Sequence, residues 1–206
     1  MISLEFLLAS LVVVLVPGTG VIYTVSTGLL RGRRASAFAS LGCALGILPH
    51  LAATVLGLAA VLHASALAFQ LLKFAGALYL LYLAWGAWRA SPATGKTQHS
   101  AMPDLTPLQA WRRGVLMNVT NPKVMVFFLA LFPSFIDPQR GNAFTQTLFL
   151  GALFMLASWV IFSVLALLSG TVGQRMQHSP RAQRWLNRSA SVVFVGLALR
   201  LLYSPR

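Results

Sequence analysis

Acidic residues are nearly absent from this 206-residue chain: Glu5, Asp104 and Asp137 are its three carboxylates, against sixteen lysines and arginines. All three are predicted near span ends or in loops, so no carboxylate lies deep in the membrane. A hard or borderline divalent cation would need carboxylates, or clustered histidine and cysteine, in the core, so a metal site is excluded as an expectation. The single cysteine, Cys43, allows no intrachain disulfide, no multi-thiolate metal site and no dithiol relay. Charge as a whole is scarce, at 9% of residues against 57% hydrophobic, whereas soluble domains carry about a quarter charged. That balance is the composition of an integral membrane protein. No Ser/His/Asp, Cys/His or paired-acid constellation lies in the apolar segments, which argues against an intramembrane enzyme, and no cofactor is expected.

What charge there is follows a pattern. The net charge of +13 would suit nucleic acid, but eleven of the sixteen cations fall into three inter-span segments: Arg31/Arg33/Arg34, Arg89/Lys96/Arg112/Arg113 and Arg175/Arg181/Arg184/Arg188. Such clustering is the positive-inside signature, and its partners are the cytoplasm and anionic lipid headgroups rather than nucleic acid. Weakly charged stretches predict six spans near residues 4–27, 37–62, 66–88, 114–135, 144–170 and 186–203. Arg200 interrupts the sixth near its exit, where it can snorkel. The basic segments follow spans one, three and five, which puts both termini outside the cytoplasm. Glu5 stands where a secretory signal would carry basic residues, so the first stretch reads as a retained span. Trp85, Trp88, Trp111 and Trp185 cluster at the inner ends of spans, as interfacial anchors do.

Segment 89–113 has the composition of a flexible linker, rich in Ser, Thr, Pro and Gly. It divides the chain into a first half, residues 1–88, and a second half, residues 114–206, of three spans each. Because three is odd, the halves enter the membrane from opposite sides, and homologous halves would form an inverted repeat. The predicted fold is therefore all-α, with six transmembrane helices as an inverted 3+3 repeat. The first span of each half is interrupted, by Val16-Pro17-Gly18-Thr19-Gly20 and by Asn121-Pro122-Lys123. Proline deletes a backbone donor and frees the carbonyl four residues earlier, Val13 and Asn118 respectively. Each proline alone could simply kink its helix. Broken backbone at matched mid-membrane positions predicts a central binding site, because such irregularity is tolerated only where it is buried in protein or lines a watery cavity.

Lys123 is the costliest residue in the chain. Counted from Gly114, it lies roughly 14 Å along span four, near the middle of a hydrocarbon core about 30 Å thick. An ionisable residue there is a functional candidate. Its readings are three: it neutralises itself, it bonds backbone carbonyls to hold the broken helices together, or it receives a substrate carboxylate. Asn118 and Asn121, three apart, either hydrogen-bond substrate or join helices. His50, in span two, is either hydrogen-bonded in a packed bundle or a proton carrier, since histidine is the side chain that changes charge near neutral pH. Gly42 and Gly46, one turn apart, favour close helix packing. Lys73, near the outer end of span three, could snorkel.

Several segments resemble the LysE/RhtB family of amino-acid exporters: Asn121-Pro122-Lys123 with Phe127-Phe128 and Pro133-Ser134-Phe135, the third-span run from Leu72 to Leu80, Pro17-Gly18 in span one, and the second-span glycines with His50. Length, hydropathy and the midchain linker agree, so the resemblance covers essentially the whole chain. It implies a secondary transporter of the bacterial inner membrane that exports amino acids or close derivatives, driven by proton antiport. It also raises interest in Lys73 and Tyr79. Where the family has Pro-Gly-Pro in span one, this chain has Pro17-Gly18-Thr19, which bears on substrate identity.

The candidate substrate-binding set is Pro17, Gly18, Thr19, Asn118, Asn121, Pro122 and Lys123; His50 and Lys123 are the proton-coupling candidates, and Lys73 and Tyr79 are secondary. The scarcity of core acids disfavours a cationic side chain on the substrate and points to neutral, small or hydrophobic amino acids. A passive channel for small solutes uses the same breaks and is the alternative. Homo-oligomerisation stays open.

Overall fold

The computed structural model describes residues 3–16, 18–63, 66–90, 105–168 and 179–203, and among them the chain is helical without strands. In order, α1 is Leu4–Leu15, α2 Thr19–Leu45, α3 Leu48–His63, α4 Ala66–Arg89, α5 Pro107–Val119 and α6 Pro122–Val126; α7 is Ala143–Leu168 and α8 Pro180–Tyr203. Between α6 and α7 the chain continues as a π-helical turn, Phe127–Leu131, a 3-10 turn, Phe132–Phe135, and a second 3-10 turn, Pro138–Arg140. By length and composition, Thr19–Gly57, Ala143–Leu168 and Gln183–Tyr203 are apolar enough to cross a membrane, and the bent pair Pro107–Val119 with Pro122–Phe135 makes a fourth.

The stretch from Thr19 is not one rod. Ser36 Oγ donates to the Thr24 carbonyl at 2.7 Å, and Cys43 Sγ lies 3.9 Å from the Gly20 carbonyl, although a straight helix would hold residues 20 and 43 about 34 Å apart. α2 therefore reverses direction within itself, and the reversal is Gly32, with φ 81° and ψ 179°. That backbone conformation is open essentially to glycine alone. The basic trio Arg31/Arg33/Arg34 thus flanks a one-residue turn, and the second span starts several residues before the predicted position 37. Gly32→Ala should lower the melting temperature of the detergent-solubilised protein by the equivalent of about 1–3 kcal/mol, since the methyl meets nothing within 4 Å and the penalty is purely of backbone.

Other boundaries also move. α5 starts at Pro107, inside the 89–113 segment, because Thr106 Oγ1 accepts from Gln109 N and Gln109 Oε1 accepts from Thr106 N, a reciprocal cap. α8 starts at Pro180 rather than 186, with proline at the position where a missing N–H costs nothing. The second span is also jointed at Gly46–Ile47, a feature not anticipated from the sequence.

Packing centres on α2, which contacts both α5 and α7, while α4 packs on α8. Glycines set the closest approaches. A Cβ on Gly42 would overlap the Trp111 carbonyl oxygen, and one on Gly46 would stand 2.7 Å from the Val115 oxygen; Gly114 faces back at Ala39. The stripe Gly42, Gly46 and Gly114 thereby brings the backbones of α2 and α5 into contact, as the Gly42/Gly46 spacing predicts. Trp85, Trp88 and Trp185 are exposed, with Arg89 over the Trp85 ring and Arg188 over Trp88. At the other end of the bundle Arg200 pairs with Glu5 at 2.8 Å and lies over the Phe135 ring, tying α8, α1 and the end of the fourth span together.

Candidate functional site

Two helix breaks meet at the centre of the bundle. α1 ends at Leu15 and α2 starts at Thr19; α5 ends at Val119 and α6 starts at Pro122, with a 49° bend across the second break. The residues between these helices are 16–18 and 120–121. Pro17 itself lies outside the described residues.

Proline at 122 leaves the Asn118 carbonyl without its usual helical donor, and the structure supplies two others. Asn121 N donates to it at 3.1 Å, and His50 Nε2 lies 3.1 Å away. Because a carbonyl oxygen only accepts, His50 carries its proton on Nε2. Thr54, one turn on, donates to the Phe128 carbonyl at 3.0 Å, within the π-helical turn where backbone partners are displaced. α3 thus seals the carbonyls that the fourth span exposes.

The asparagines work in the same local network. Asn118 Nδ2 donates to the Cys43 carbonyl on α2. Asn121 Nδ2 donates to Asn118 Oδ1 at 3.2 Å, while Asn121 Oδ1 caps α6 by accepting from Lys123 N at 3.1 Å. Both are buried.

Lys123 reaches across to the other break. Its Nζ donates to the Val16 carbonyl at 2.8 Å, and the residue as a whole is 9% exposed. That carbonyl belongs to the C-terminal end of α1, where unsatisfied oxygens concentrate negative potential. Of the readings open for this lysine, bonding of a carbonyl across the breaks is observed; the carbonyl is that of Val16 and not Val13. An ammonium has three donors, and Val16 uses one. Gly18 makes the approach possible, since a Cβ there would stand 2.9 Å from Nζ.

A small cavity opens between the breaks, with room for about one water, about 10 Å³. Gly18, Asn118, Asn121 and Lys123 supply its polar side, and Gly20, Val13 and Val124 part of its apolar wall. The opposite wall is α7, through Phe154, Ser158 and Phe162. These three were not identified from the sequence, where a serine and two phenylalanines in a strongly apolar helix carry no distinguishing signal. Of the remaining predicted residues, Thr19 and Pro122 are exposed and do not line the cavity; Thr19 Oγ1 instead donates to the Met117 carbonyl at 3.1 Å, joining α2 to α5. Lys73 is buried in α4, so it does not snorkel, and neither it nor the half-buried Tyr79, whose ring meets Tyr82, reaches the cavity. Among the described residues no cluster of histidine, cysteine and carboxylates could hold a metal.

The fold and site together define a helical membrane protein with a small, largely apolar cavity, polar on one side, between two helix breaks. The LysE type translocator family matches residues 11–205, and the chain belongs to that family; it is a membrane transport protein. It is 35% identical over 199 residues to an uncharacterized membrane protein of Vibrio cholerae, covering 96% of this chain and 95% of the relative. It is 33% identical to a homoserine/homoserine lactone efflux protein of Salmonella typhimurium, covering 98% of this chain and 95% of that one. A leucine efflux protein of an Enterobacter species is 27% identical, with 95% and 92% covered. No solved structure matches.

Proposed function

We propose that this protein exports amino acids or close derivatives by alternating access, with the substrate held between the two helix breaks. The relatives named as homoserine and leucine efflux proteins support amino-acid export and a neutral substrate. The observation that carries the reading is the buried Lys123 side chain bridging from the fourth-span break to the Val16 carbonyl at the first-span break, in a cavity that no carboxylate lines among the described residues.

A substrate carboxylate displaces the Val16 carbonyl from Lys123, because a full negative charge is the stronger partner for a buried ammonium. Asn121 and the Gly18 backbone add hydrogen bonds, and Asn118 holds the fourth-span break against α2. The Val16 carbonyl then becomes free to accept from the substrate ammonium, so one exchange serves both ends of an amino acid. With room for about one water, the cavity has to widen to take substrate, and the hinges are the breaks themselves, Pro17-Gly18-Thr19 and Asn121-Pro122. Residues 1–88 and 114–206 are the moving halves, an inverted pair of three spans each joined by the 89–113 segment, with both termini outside the cytoplasm. The membrane is the bacterial inner membrane. Proton antiport drives the cycle, with His50, which grips the Asn118 carbonyl, and Lys123 as the groups that exchange protons. Lys73 and Tyr79 act in packing α4 rather than at the substrate.

The test is flux of a labelled amino-acid panel through proteoliposomes of the purified protein, with and without an imposed pH gradient. Gradient-dependent movement of neutral amino acids at carrier-like rates is expected. Failure of every amino acid to move would overturn the reading, and currents far above carrier turnover would favour a channel.

A further inference from the structure

The polar groups assigned above all come from the two breaks, and they meet the parts that every amino acid shares. Discrimination between amino acids therefore falls to the remaining wall, which is α7. Phe154, Ser158 and Phe162 recur at intervals of four, so they form one face of a single helix, and all three line the cavity. Each is at most 5% exposed.

Two details give this face a chemistry. The ring tip of Phe162 lies against the Gly20 backbone: a Cβ on Gly20 would stand 3.3 Å from its Cζ and 3.6 Å from Asn118 Oδ1. The slot between α2 and α7 is thus bounded by a ring tip on one side and bare backbone on the other. Ser158 Oγ donates its proton to the Phe154 carbonyl at 2.7 Å. What it presents to the cavity is then an acceptor lone pair, suited to a donor such as a hydroxyl. Among the described residues the wall carries no acid, so a cationic side chain meets no partner there, and with Lys123 committed to the α-carboxylate an acidic one meets none either.

We propose that α7 is the specificity element of this transporter: Phe162 sets the upper size of the substrate side chain and Ser158 favours a compact chain ending in a hydroxyl over an isosteric hydrocarbon. This rests on the export reading above and deepens it. Phe154 stacks on Phe127 at 4.8 Å between ring centroids and is held as the floor of the wall rather than as a reader of the substrate.

The experiment is competition in proteoliposomes among alanine, homoserine, norvaline, leucine and phenylalanine, with the wild type, Phe162→Ala and Ser158→Ala. Norvaline is homoserine with the hydroxyl replaced by methyl. Wild type should move homoserine in preference to norvaline. Phe162→Ala should raise leucine and phenylalanine flux relative to alanine by about tenfold or more, the scale on which apolar pockets discriminate by size. Ser158→Ala should bring the homoserine-to-norvaline ratio to about one, by lowering homoserine flux relative to both norvaline and alanine. If Phe162→Ala loses its monodisperse elution profile, Phe162→Leu carries the size comparison. Unchanged ratios in folded variants would overturn the assignment and leave the export reading standing, whereas a wild type that moves none of the five overturns both.

Discussion

Lys123→Met is expected to cut amino-acid flux by roughly ten- to a hundredfold while retaining most of the side-chain volume. The reasoning starts from the 2.8 Å hydrogen bond between its ammonium and the Val16 carbonyl. A hydrogen bond to a charged group contributes about 1.5–3 kcal/mol net, and in the proposed cycle that interaction passes to the substrate carboxylate. Removing the ammonium therefore removes the carboxylate partner and also leaves Val16 unmet at the end of α1. Lys123→Arg should not rescue transport, because Gly18 approaches Nζ so closely that a single added carbon at Gly18 would stand 2.9 Å from it; a planar guanidinium has no room there. Initial rates of labelled neutral amino acid into proteoliposomes, at matched protein content, check both variants. Wild-type flux in Lys123→Met would leave the lysine a purely structural clasp between the two breaks, and then only the melting temperature should fall.

Gly42→Val carries the second large effect, and it acts on assembly. The backbone of α2 touches that of α5 here, so the first carbon of any side chain overlaps the Trp111 carbonyl. Backbone cannot swing aside as a side-chain tip can, and the two helices have to separate. Overpacking a well-packed core costs about 1–3 kcal/mol even where side chains can adjust, and this contact should exceed that. The same interface holds the Asn118 to Cys43 hydrogen bond, so the variant loses the geometry of the fourth-span break together with stability. Thermal unfolding in detergent should show a large fall for Gly42→Val and almost none for Gly196→Ala, since a Cβ at Gly196 meets nothing within 4 Å. Equal melting temperatures for the two would mean that α2 and α5 do not pack through this stripe.

The two effects differ in how far the sequence anticipates them. Gly42 and Gly46 are visible as a pair one turn apart, but their partner Gly114 sits some seventy positions later, and only the packed helices show that all three face one another. Lys123 stands out at once as a cation in an apolar run. Its partner does not, because Val16 contributes a carbonyl, and every residue has one. His50 is similar: its value as a partner for the Asn118 oxygen depends on α3 lying beside the fourth-span break.

What the sequence determined by itself is what local chemistry controls. Composition set the membrane class, since a chain this poor in charge has no soluble solution. Pro122 and the Pro17-Gly18 pair marked the breaks, because a missing N–H and glycine's freedom act on the backbone within one turn, whatever packs around them. The tertiary structure decided everything that depends on two helices meeting. It folded α2 back on itself about Gly32, took Lys73 into the bundle away from the cavity, and brought Phe154, Ser158 and Phe162 to face the breaks. A helix's own residues fix where it bends, but which of its faces lines a cavity is fixed by the neighbours that bury the others.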